Sequence, residues 1–215
     1  MSGDVHVRFC EGVGVRLPRA THRNIYVRSA RAGARVMASI SCLTTQRLQL
    51  QVHWSKSAVD RPWKRSFLGF SCTGGKFPKR RKIAPKALAR FRARVKALTR
   101  RNPGRSLQHV ITLLSEDLRG WIGYCDFCQT PAVLRDLDSW MHHRLRCLQW
   151  KPWKGYRRRK AELIKRGIAP TLAHTTAWSA KGPWKISHTP GVRMALNNQY
   201  FDRMGLLRLS AHHNR

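Results

Sequence analysis

The feature that most limits the possible folds is a series of three apolar stripes with helical spacing between residues 85 and 150. In the first stripe, apolar side chains recur every three or four residues from Leu88 to Leu98, with basic residues between them. Asn102-Pro103-Gly104 and Thr130-Pro131 interrupt the pattern. Three amphipathic helices with short connections predict a small helical bundle.

Local residues at the helix ends support this interpretation. Ser106 is predicted to cap the second helix, and Thr130-Pro131 supplies a cap and a first-turn proline for the third. A short fourth helix is predicted over roughly 156–166 and ends at Gly167, a residue that tolerates the left-handed conformation of a helix end. A last helix is predicted near 191–204.

The segment before residue 80 has a mixed pattern. Asn24–Ser29 predicts a strand and residues 30–47 predict a helix, while Leu48–Val52 alternates apolar and polar residues as a half-buried strand does. Residues before Asn24 show no clear period, so the first strand has no evident partner.

Two glycines mark a further turn in this first segment. Thr73-Gly74-Gly75-Lys76 predicts a hairpin turn, because glycine adopts positive φ without strain, and Phe77 is expected to begin the return strand. A basic, proline-flanked joint at 78–85 is the predicted boundary between the two patterns. The fold class is therefore predicted to be mainly α, with a small α+β part followed by a helical bundle.

The charge balance points to a polyanionic partner. The chain carries 43 Lys and Arg against 10 Asp and Glu, a formal charge of +33. Lysine and arginine that neutralise phosphates release counterions, which gives strong and salt-sensitive binding to nucleic acid. An anionic membrane surface is a weaker candidate, since neither end has a lipidation signal. We expect no small-molecule substrate and no membrane partner.

Hydropathy and cysteine content indicate a cytoplasmic protein. The sequence has no run of 18 apolar residues and no apolar N-terminal leader. Its six cysteines are therefore expected to be reduced thiols. Cys125-Asp126-Phe127-Cys128 has metal-ligand spacing, with His142, His143 and Cys147 downstream. We do not favour a zinc site, because the pair is single and lies in or beside predicted helix.

A set of collinear motifs resembles one known family. The motifs are Asn24-Ile25-Tyr26-Val27, Lys56-Ser57, Phe67-Leu68-Gly69-Phe70, Gly104-Arg105-Ser106-Leu107, Leu118-Arg119-Gly120-Trp121-Ile122-Gly123-Tyr124, Leu137-Asp138-Ser139-Trp140, Arg144-Leu145-Arg146-Cys147, Trp150-Lys151-Pro152-Trp153-Lys154, Gly182-Pro183-Trp184 and Tyr200-Phe201. Over roughly residues 24–209 the chain resembles the C-terminal part of a bacterial group II intron reverse transcriptase/maturase. It looks like the members that lack the Cys/His endonuclease cassette.

The resemblance implies a division of the chain into four parts. Residues 24–80 would be a partial polymerase palm, in which Phe67, Leu68, Gly69 and Phe70 form a primer-grip-like hairpin. Residues 81–209 would be the maturase-specific, thumb-like region that binds intron RNA. Residues 1–23 are atypical and 210–215 form a tail. Lys56 would lie near the incoming nucleotide in the family.

Polymerisation in that family needs Mg²⁺ held by carboxylates, one pair of which lies in Tyr-Ala-Asp-Asp before the strand matched by Asn24–Val27. Here the neighbouring residues are Ala20-Thr21-His22-Arg23, and no Asp or Glu occurs between Gly12 and Val59. We therefore predict no catalytic residues, no metal and no cofactor in this chain, and Lys56 becomes a surface lysine. Residues 1–23 are hypothesised to be translated out of frame or from an altered start.

The predicted RNA-binding residues are basic side chains near aromatic ones, because aromatic rings stack on bases and cations contact phosphates. They are Lys79, Arg80, Arg81, Lys82, Arg90, Arg94, Lys151, Lys154, Arg157, Arg158, Arg159 and Lys160. Trp121 and Trp140 are expected in the core, whereas Trp150, Trp153 and Trp184 are open between core and surface.

Three functions remain open from the sequence. The first is binding of group II intron RNA or other structured RNA without copying it. The second is one half of a split RNA-directed DNA polymerase, completed by a separate chain with fingers and palm. The third is a non-functional remnant, in which the strands at 24–29 and 48–52 would be unpaired sheet edges that invite aggregation.

Overall fold

The structure is a computed structural model that describes residues 5–12, 22–74, 80–100 and 105–211, with side chains described from Asn24 onward. It is mainly α with a small α+β part, as the sequence predicts. The chain divides into two compact units, Met1–Ala87 and Leu88–Arg215. No helix in the described ranges combines the length and apolarity that a membrane crossing requires.

The described part of the first unit contains two small antiparallel sheets, one complete helix and the start of another. Its elements are β1 (Val5–Gly12), β2 (His22–Val27), α1 (Ala30–Cys42) with a π-helical extension Leu43–Arg47, β3 (Gln51–Val52), β4 (Ala58–Asp60), a 3-10 turn Pro62–Lys64, β5 (Phe70–Cys72) and β6 (Arg81–Ile83). The predicted strand and helix at 24–47 are confirmed. The strand predicted at Leu48–Val52 is reduced to two residues, and Gln49 has φ 50°.

The strand β2 has a partner, contrary to the expectation from the sequence. β1 pairs with β2 along one edge, in a register that sets Val5 opposite Val27. Along its other edge β1 pairs with β4 through His6–Arg8 and with β3 through Glu11–Gly12. The two strands expected to be unpaired therefore each have one partner, β1, although β2 and β3 are still the outer strands in the order β2-β1-β3. A signal was available, because Val5, Val7 and Phe9 alternate with more polar residues, as in a strand.

The predicted hairpin after residue 67 is present. β5 and β6 pair antiparallel, with Phe70 opposite Ile83. The return strand β6 begins at Arg81, while Gly75–Lys76 and Phe77 lie outside the described residues. The primer-grip-like residues form a tight turn of their own, because Phe67 and Phe70 exchange both backbone hydrogen bonds, at 2.8 and 2.9 Å.

The second unit is helical. Its elements are α2 (Pro85–Leu98, which begins in the first unit), α3 (Leu107–Cys125), α4 (Pro131–Trp150), α5 (Tyr156–Lys165), α6 (Pro170–Trp178), α7 (Pro183–Ile186), α8 (Pro190–Ala195) and α9 (Asn198–Arg203). The first four match the predicted helices. The last predicted helix is instead two, α8 and α9, since the Asn197 side chain accepts a hydrogen bond from the Tyr200 amide and starts a new helix.

The two predicted caps behave differently. The Ser106 hydroxyl accepts a hydrogen bond from the His109 amide at 3.2 Å, so it caps α3 as expected. Thr130 makes no capping hydrogen bond, and its hydroxyl lies 3.1 Å from the Cys128 sulfur instead. The prediction for Thr130 is therefore wrong, although Pro131 does occupy the first turn of α4.

The core of the second unit comes from the apolar stripes of α3 and α4. Their fully buried side chains include Ile111, Leu114, Leu118, Leu134, Leu137, Met141 and Leu145. Each contributes about 1.5–3 kcal/mol of transfer free energy. Trp150 and Trp153 are also buried, whereas Trp121 and Trp140, expected in the core, are only half-buried. Trp121 packs on the Phe91 ring at 4.2 Å instead of entering the stripe.

A close approach joins α6 and α8. A methyl group added at Gly191 would lie 2.3 Å from the Thr176 hydroxyl oxygen, so only glycine fits between the two helices. Ala173, Thr176 and Val192 are buried beside this contact. The backbone of α8 therefore packs directly against a side chain of α6, and a larger residue at position 191 would push the two helices apart.

Candidate nucleic-acid interface

A groove of about 890 Å³ lies between the end of α4 and the segment 179–185. Its lining includes four basic side chains, Arg144, Lys151, Lys181 and Lys185, together with the ring of Trp184, and it includes no acidic residue. Positive side chains with no carboxylate among them produce a potential that attracts phosphate. The volume is within the range of ligand sites in proteins.

Hydrogen bonds between α4 and α7 hold one wall of the groove. The Cys147 sulfur lies 3.3 Å from the Pro183 carbonyl oxygen and 3.1 Å from the Ser187 hydroxyl. The His143 ring meets the Trp184 ring edge-on, with centroids 3.7 Å apart, and stacks on His188 at 3.6 Å. This wall is therefore formed before any ligand arrives.

The charge state of that wall follows from burial. Burial, with the nearby charges of His188, Arg146 and Arg144, lowers the pKa of His143 to about 4. The ring is neutral near pH 7, so its nitrogen accepts or donates a hydrogen bond with the Ser187 hydroxyl at 2.9 Å. Histidine therefore adds no charge to the groove at neutral pH, and the positive potential comes from lysine and arginine.

Arg144 is fixed at the groove wall. Its Nε donates to the Thr99 hydroxyl at 2.7 Å, and its guanidinium lies 5.5 Å from the Trp140 ring. Neither contact neutralises the charge, because the hydroxyl and the ring are uncharged. Arg144 is thus oriented by Thr99, just after α2, and by Trp140 of α4, and it lines the groove with its charge unpaired by either contact.

The predicted cations of α5 divide by exposure. Lys154, Arg157 and Arg158 are exposed, as a phosphate contact requires. Arg159 is half-buried, since its Nε donates to the Trp153 carbonyl at 3.0 Å and its guanidinium lies 5.1 Å from the Trp150 ring. Arg159 therefore supports the buried tryptophans in addition to any contact with phosphate.

An exposed aromatic cluster joins α5 and α6. The Trp178 side chain is 73% exposed, and its ring is parallel to that of His174, within 4°. Tyr156 meets both rings edge-on, at 5.6 and 5.5 Å, and the Lys160 amine lies 6.0 Å from the Tyr156 ring. The indole is thus held in one orientation with one face open to a stacking partner.

The remaining predicted cations lie elsewhere. Arg90 and Arg94 are exposed on α2, and Arg94 forms an ion pair with Asp117 at 2.7 Å. Arg80, Arg81 and Lys82 lie at β6 in the first unit, and Lys79 lies outside the described residues. Of the eleven predicted residues that the structure describes, only Lys151 lines the groove. The predicted site omits Arg144, Lys181 and Lys185. Lys181 and Lys185 were signalled by the Lys-Gly-Pro-Trp-Lys interleaving at 181–185.

Acidic residues, which a polymerase Mg²⁺ site requires, are rare among the described side chains of the first unit. Asp60 is the one acidic residue among the described side chains of the first unit, and it accepts from the Arg61 amide and pairs with Lys64 and Arg65. Two-metal catalysis needs several converging carboxylates. Across the described part of the chain, no three His, Cys, Asp or Glu residues group as a metal site would require.

The cysteines of the zinc alternative have other partners. Cys128 contacts Thr130, and Cys147 contacts Ser187 and Pro183. Burial raises the pKa of the Cys125 thiol to about 12, so this sulfur stays protonated and is a poor metal ligand.

One family comparison matches part of the helical unit. Residues 88–167 match the family model for the group II intron, maturase-specific domain. The match begins in α2 and runs through α3, α4 and α5. The resemblance to a group II intron maturase, drawn from the sequence, is thereby confirmed over this part of the chain. A search of curated proteins found no match.

Proposed function

We propose that this protein binds structured RNA, in particular group II intron RNA, through the groove and the exposed face of α5. The observation that carries the proposal is the groove itself, lined by four cations with no carboxylate. Support for intron RNA as the class of ligand comes from the maturase-specific match over 88–167.

RNA fits the interface better than duplex DNA does. Proteins recognise structured RNA through phosphate contacts and through stacking of unpaired bases on aromatic rings. The second unit offers both, since the exposed Trp178 ring follows α5, and Lys181 and Lys185 follow Trp178 along the chain. A regular DNA duplex has no unpaired base for the indole.

The proposed activity is binding without stand-alone copying. Support comes from the sequence, in which Gly12–Val59 contains no acidic residue between its ends, and from the salt-bridged state of Asp60. Primer extension with Mg²⁺ should give no product from this protein alone. Extension by this protein alone would contradict the proposal, and extension only after adding a separate fingers-and-palm chain would favour the split-polymerase function.

The binding test compares two double variants with equal charge change. Lys181→Gln with Lys185→Gln removes two cations from the groove, whereas Arg31→Gln with Arg35→Gln removes two exposed cations from α1. A folded group II intron domain is titrated with each variant at several salt concentrations. We expect the groove variant to weaken binding tenfold or more and to lower the salt slope by about two, against little change for the control.

Two results would defeat this proposal. One is wild-type RNA affinity that does not depend on salt, because phosphate contacts necessarily release counterions. The other is equal loss of affinity in the groove and α1 variants, which would indicate attraction by net charge with no defined interface.

A further inference from the structure

A second pocket, separate from the groove, lies where α4 meets α8, α9 and the segment after α9. Its volume is about 250 Å³. Four arginines line it, together with one acid, one histidine and three small polar side chains: Arg135, Arg146, Arg193, Arg208, Asp138, His142, Ser139, Asn198 and Ser210. None of these arginines belongs to the interface predicted from the sequence.

The one acid in the pocket is occupied by the backbone. The Asp138 carboxylate accepts hydrogen bonds from the Leu209 amide at 3.0 Å and the Ser210 amide at 2.9 Å. Arg208 forms a two-point ion pair with Asp202, which lies outside the pocket lining. The acid therefore holds the chain segment after α9, and it does not neutralise the other three arginines through an ion pair in the described structure.

The arginines are arranged around a concave space. Arg146 is half-buried, with Nε donating to the Leu196 carbonyl at 2.8 Å and Nη2 donating to the Asn198 side-chain oxygen at 3.2 Å. Burial and the positive charge of Arg193 lower the pKa of Arg146. Within the described ranges neither Arg135 nor Arg193 forms an ion pair, so an anion in the pocket would relieve this repulsion.

His142 gives the pocket an additional requirement. Its Nδ1 lies 2.7 Å from the Asp138 backbone carbonyl, and because a carbonyl only accepts, Nδ1 carries the hydrogen. Burial lowers the pKa of His142, so the ring is neutral and Nε2 is an acceptor. The residue is 3% exposed, and Nε2 has no hydrogen-bond partner within the described part of the chain. A buried acceptor without a donor is costly.

We propose that this arginine pocket binds one ribose–phosphate unit of RNA. Arg135, Arg146 and Arg193 bind the phosphate, and His142 Nε2 accepts a hydrogen bond from the adjacent 2′-hydroxyl, directly or through one bridging water. A ligand here must combine an anion with a hydroxyl donor, and the RNA backbone does so where the DNA backbone does not. The assignment rests on the RNA binding proposed above and gives it a sugar-specific contact.

The first test measures the phosphate contact. Arg193→Gln is compared with Arg35→Gln, an exposed arginine on α1 with the same charge change. Both full-length proteins are titrated with the intron RNA at several salt concentrations. We expect Arg193→Gln to weaken binding about fivefold to tenfold and to reduce the salt slope by about one. Arg35→Gln should leave both quantities near the wild-type values.

The second test measures the hydroxyl contact and needs no buried substitution. Wild-type protein is titrated with intron RNAs that each carry one 2′-deoxy nucleotide. At one position the substitution should weaken binding about twofold to tenfold, as the loss of one neutral hydrogen bond predicts. His142→Phe, with its fold checked by circular dichroism, should bind that deoxy RNA and the parent RNA equally well.

The outcomes separate this inference from the proposed function. If Arg193→Gln and Arg35→Gln bind RNA with the same affinity and the same salt slope, the arginine-pocket proposal is overturned. The proposal of RNA binding in the groove is unaffected by that result. Wild-type protein without salt-sensitive RNA binding would overturn both. A third outcome concerns free phosphate. Inorganic phosphate could raise the melting temperature of wild type above the chloride control but not that of Arg193→Gln, while Arg193→Gln keeps the wild-type affinity for RNA. That result would assign the pocket to free phosphate and defeat the RNA assignment. A deoxy scan with no sensitive position would defeat the role of His142.

Discussion

The two units differ most in what they bury. In the second unit, α3 and α4 alone bury eight large apolar side chains almost completely, Trp150 among them. In the first unit, no large apolar side chain between residues 24 and 74 reaches full burial, and its buried positions include Ser41, Thr44, Ser57 and Ser71. Tyr26, Leu48, Trp54 and Leu68 are more than half exposed there. Because burial of apolar surface is the main favourable term in folding, the described side chains of the helical unit contribute more to stability than those of the first unit.

The comparison also separates the two kinds of predicted function. The unit with a core carries the groove, the exposed indole and the arginine pocket, each held by hydrogen bonds or ring contacts. The first unit carries the palm-like strands and the primer-grip-like turn. A binding surface needs a rigid support, and the proposed sites lie in the unit whose described side chains are better buried.

The largest expected effect is loss of core packing in the second unit. Leu137→Ala should lower the free energy of unfolding by about 3 kcal/mol, because a fully buried leucine is replaced by a cavity. Leu48→Ala, at a side chain 53% exposed in the first unit, should change it by less than about 0.5 kcal/mol. Urea denaturation followed by circular dichroism measures both. Similar losses in the two variants would show that the units share one core.

A smaller effect is expected at the acid beneath the arginine pocket. Asp138→Ala removes a buried carboxylate that accepts from two backbone amides, so we expect a loss of about 2 kcal/mol. Hydrogen exchange should speed up at the Leu209 and Ser210 amides first. Asp136→Ala, an exposed acid on the same helix, is the matched control and should leave those amides protected.

The exposed indole provides a test of binding without a test of folding. Trp178→Ala should weaken affinity for an RNA hairpin with an unpaired loop by about 1–2 kcal/mol, since one base loses its stacking partner. Trp54→Ala removes an exposed indole from the first unit and should have no effect on the same RNA. Equal affinity of wild type and Trp178→Ala for the hairpin would exclude the indole as a stacking site.

Each unit has a helix capped by a serine with the same hydrogen-bond distance, so removing the two caps compares the stability of the two units. The Ser29 and Ser106 hydroxyls each accept from a backbone amide at 3.2 Å, at the starts of α1 and α3. Ser106→Ala should lower the free energy of global unfolding by about 1 kcal/mol. Ser29→Ala should instead speed local exchange in α1 with little effect on the global transition. An equal global loss from both substitutions would contradict the difference in core.

A pH dependence is also expected in the groove wall. Burial lowers the pKa of His143 to about 4, so the unfolded chain binds the proton more readily. Stability should therefore fall as pH drops from about 6.5 towards 4, with a slope of at most about 1.4 kcal/mol per pH unit, the limit for one proton. His143→Gln should flatten this part of the profile in thermal melts from pH 7 to 4. A profile that keeps its slope in this variant would place the responsible group elsewhere.

Helices with long apolar stripes were predictable and shorter features were not. The apolar stripes predict the helices α2 to α4, because each of these helices buries one face. The helices α6 and α7 carry only a first-turn proline as a signal, at Pro170 and Pro183, and the Asn197 cap that divides α8 from α9 is local. The strand β1 alternates in sequence, yet its basic surroundings obscured the pattern.

The candidate sites were predictable only in part, for a similar reason. Lys151 and the exposed cations of α5 were predictable, because basic residues lie next to tryptophans in this part of the sequence. The groove requires Arg144 and Lys181, 37 positions apart by their numbering, to share one space, which only tertiary packing decides. The arginine pocket joins residues from Arg135 to Ser210, and the unpartnered nitrogen of His142 is visible only once its surroundings are known.

The contact between Gly191 and Thr176 has a consequence for the proposed RNA interface. It prevents α8 from sliding along α6, so Arg193 on α8 and Trp178 on α6 stay at one separation. An RNA that stacks a base on the indole and places a phosphate in the arginine pocket must span that fixed interval. The two helices then act as a ruler, and RNAs with one nucleotide too few between the two contacts can satisfy only one of them.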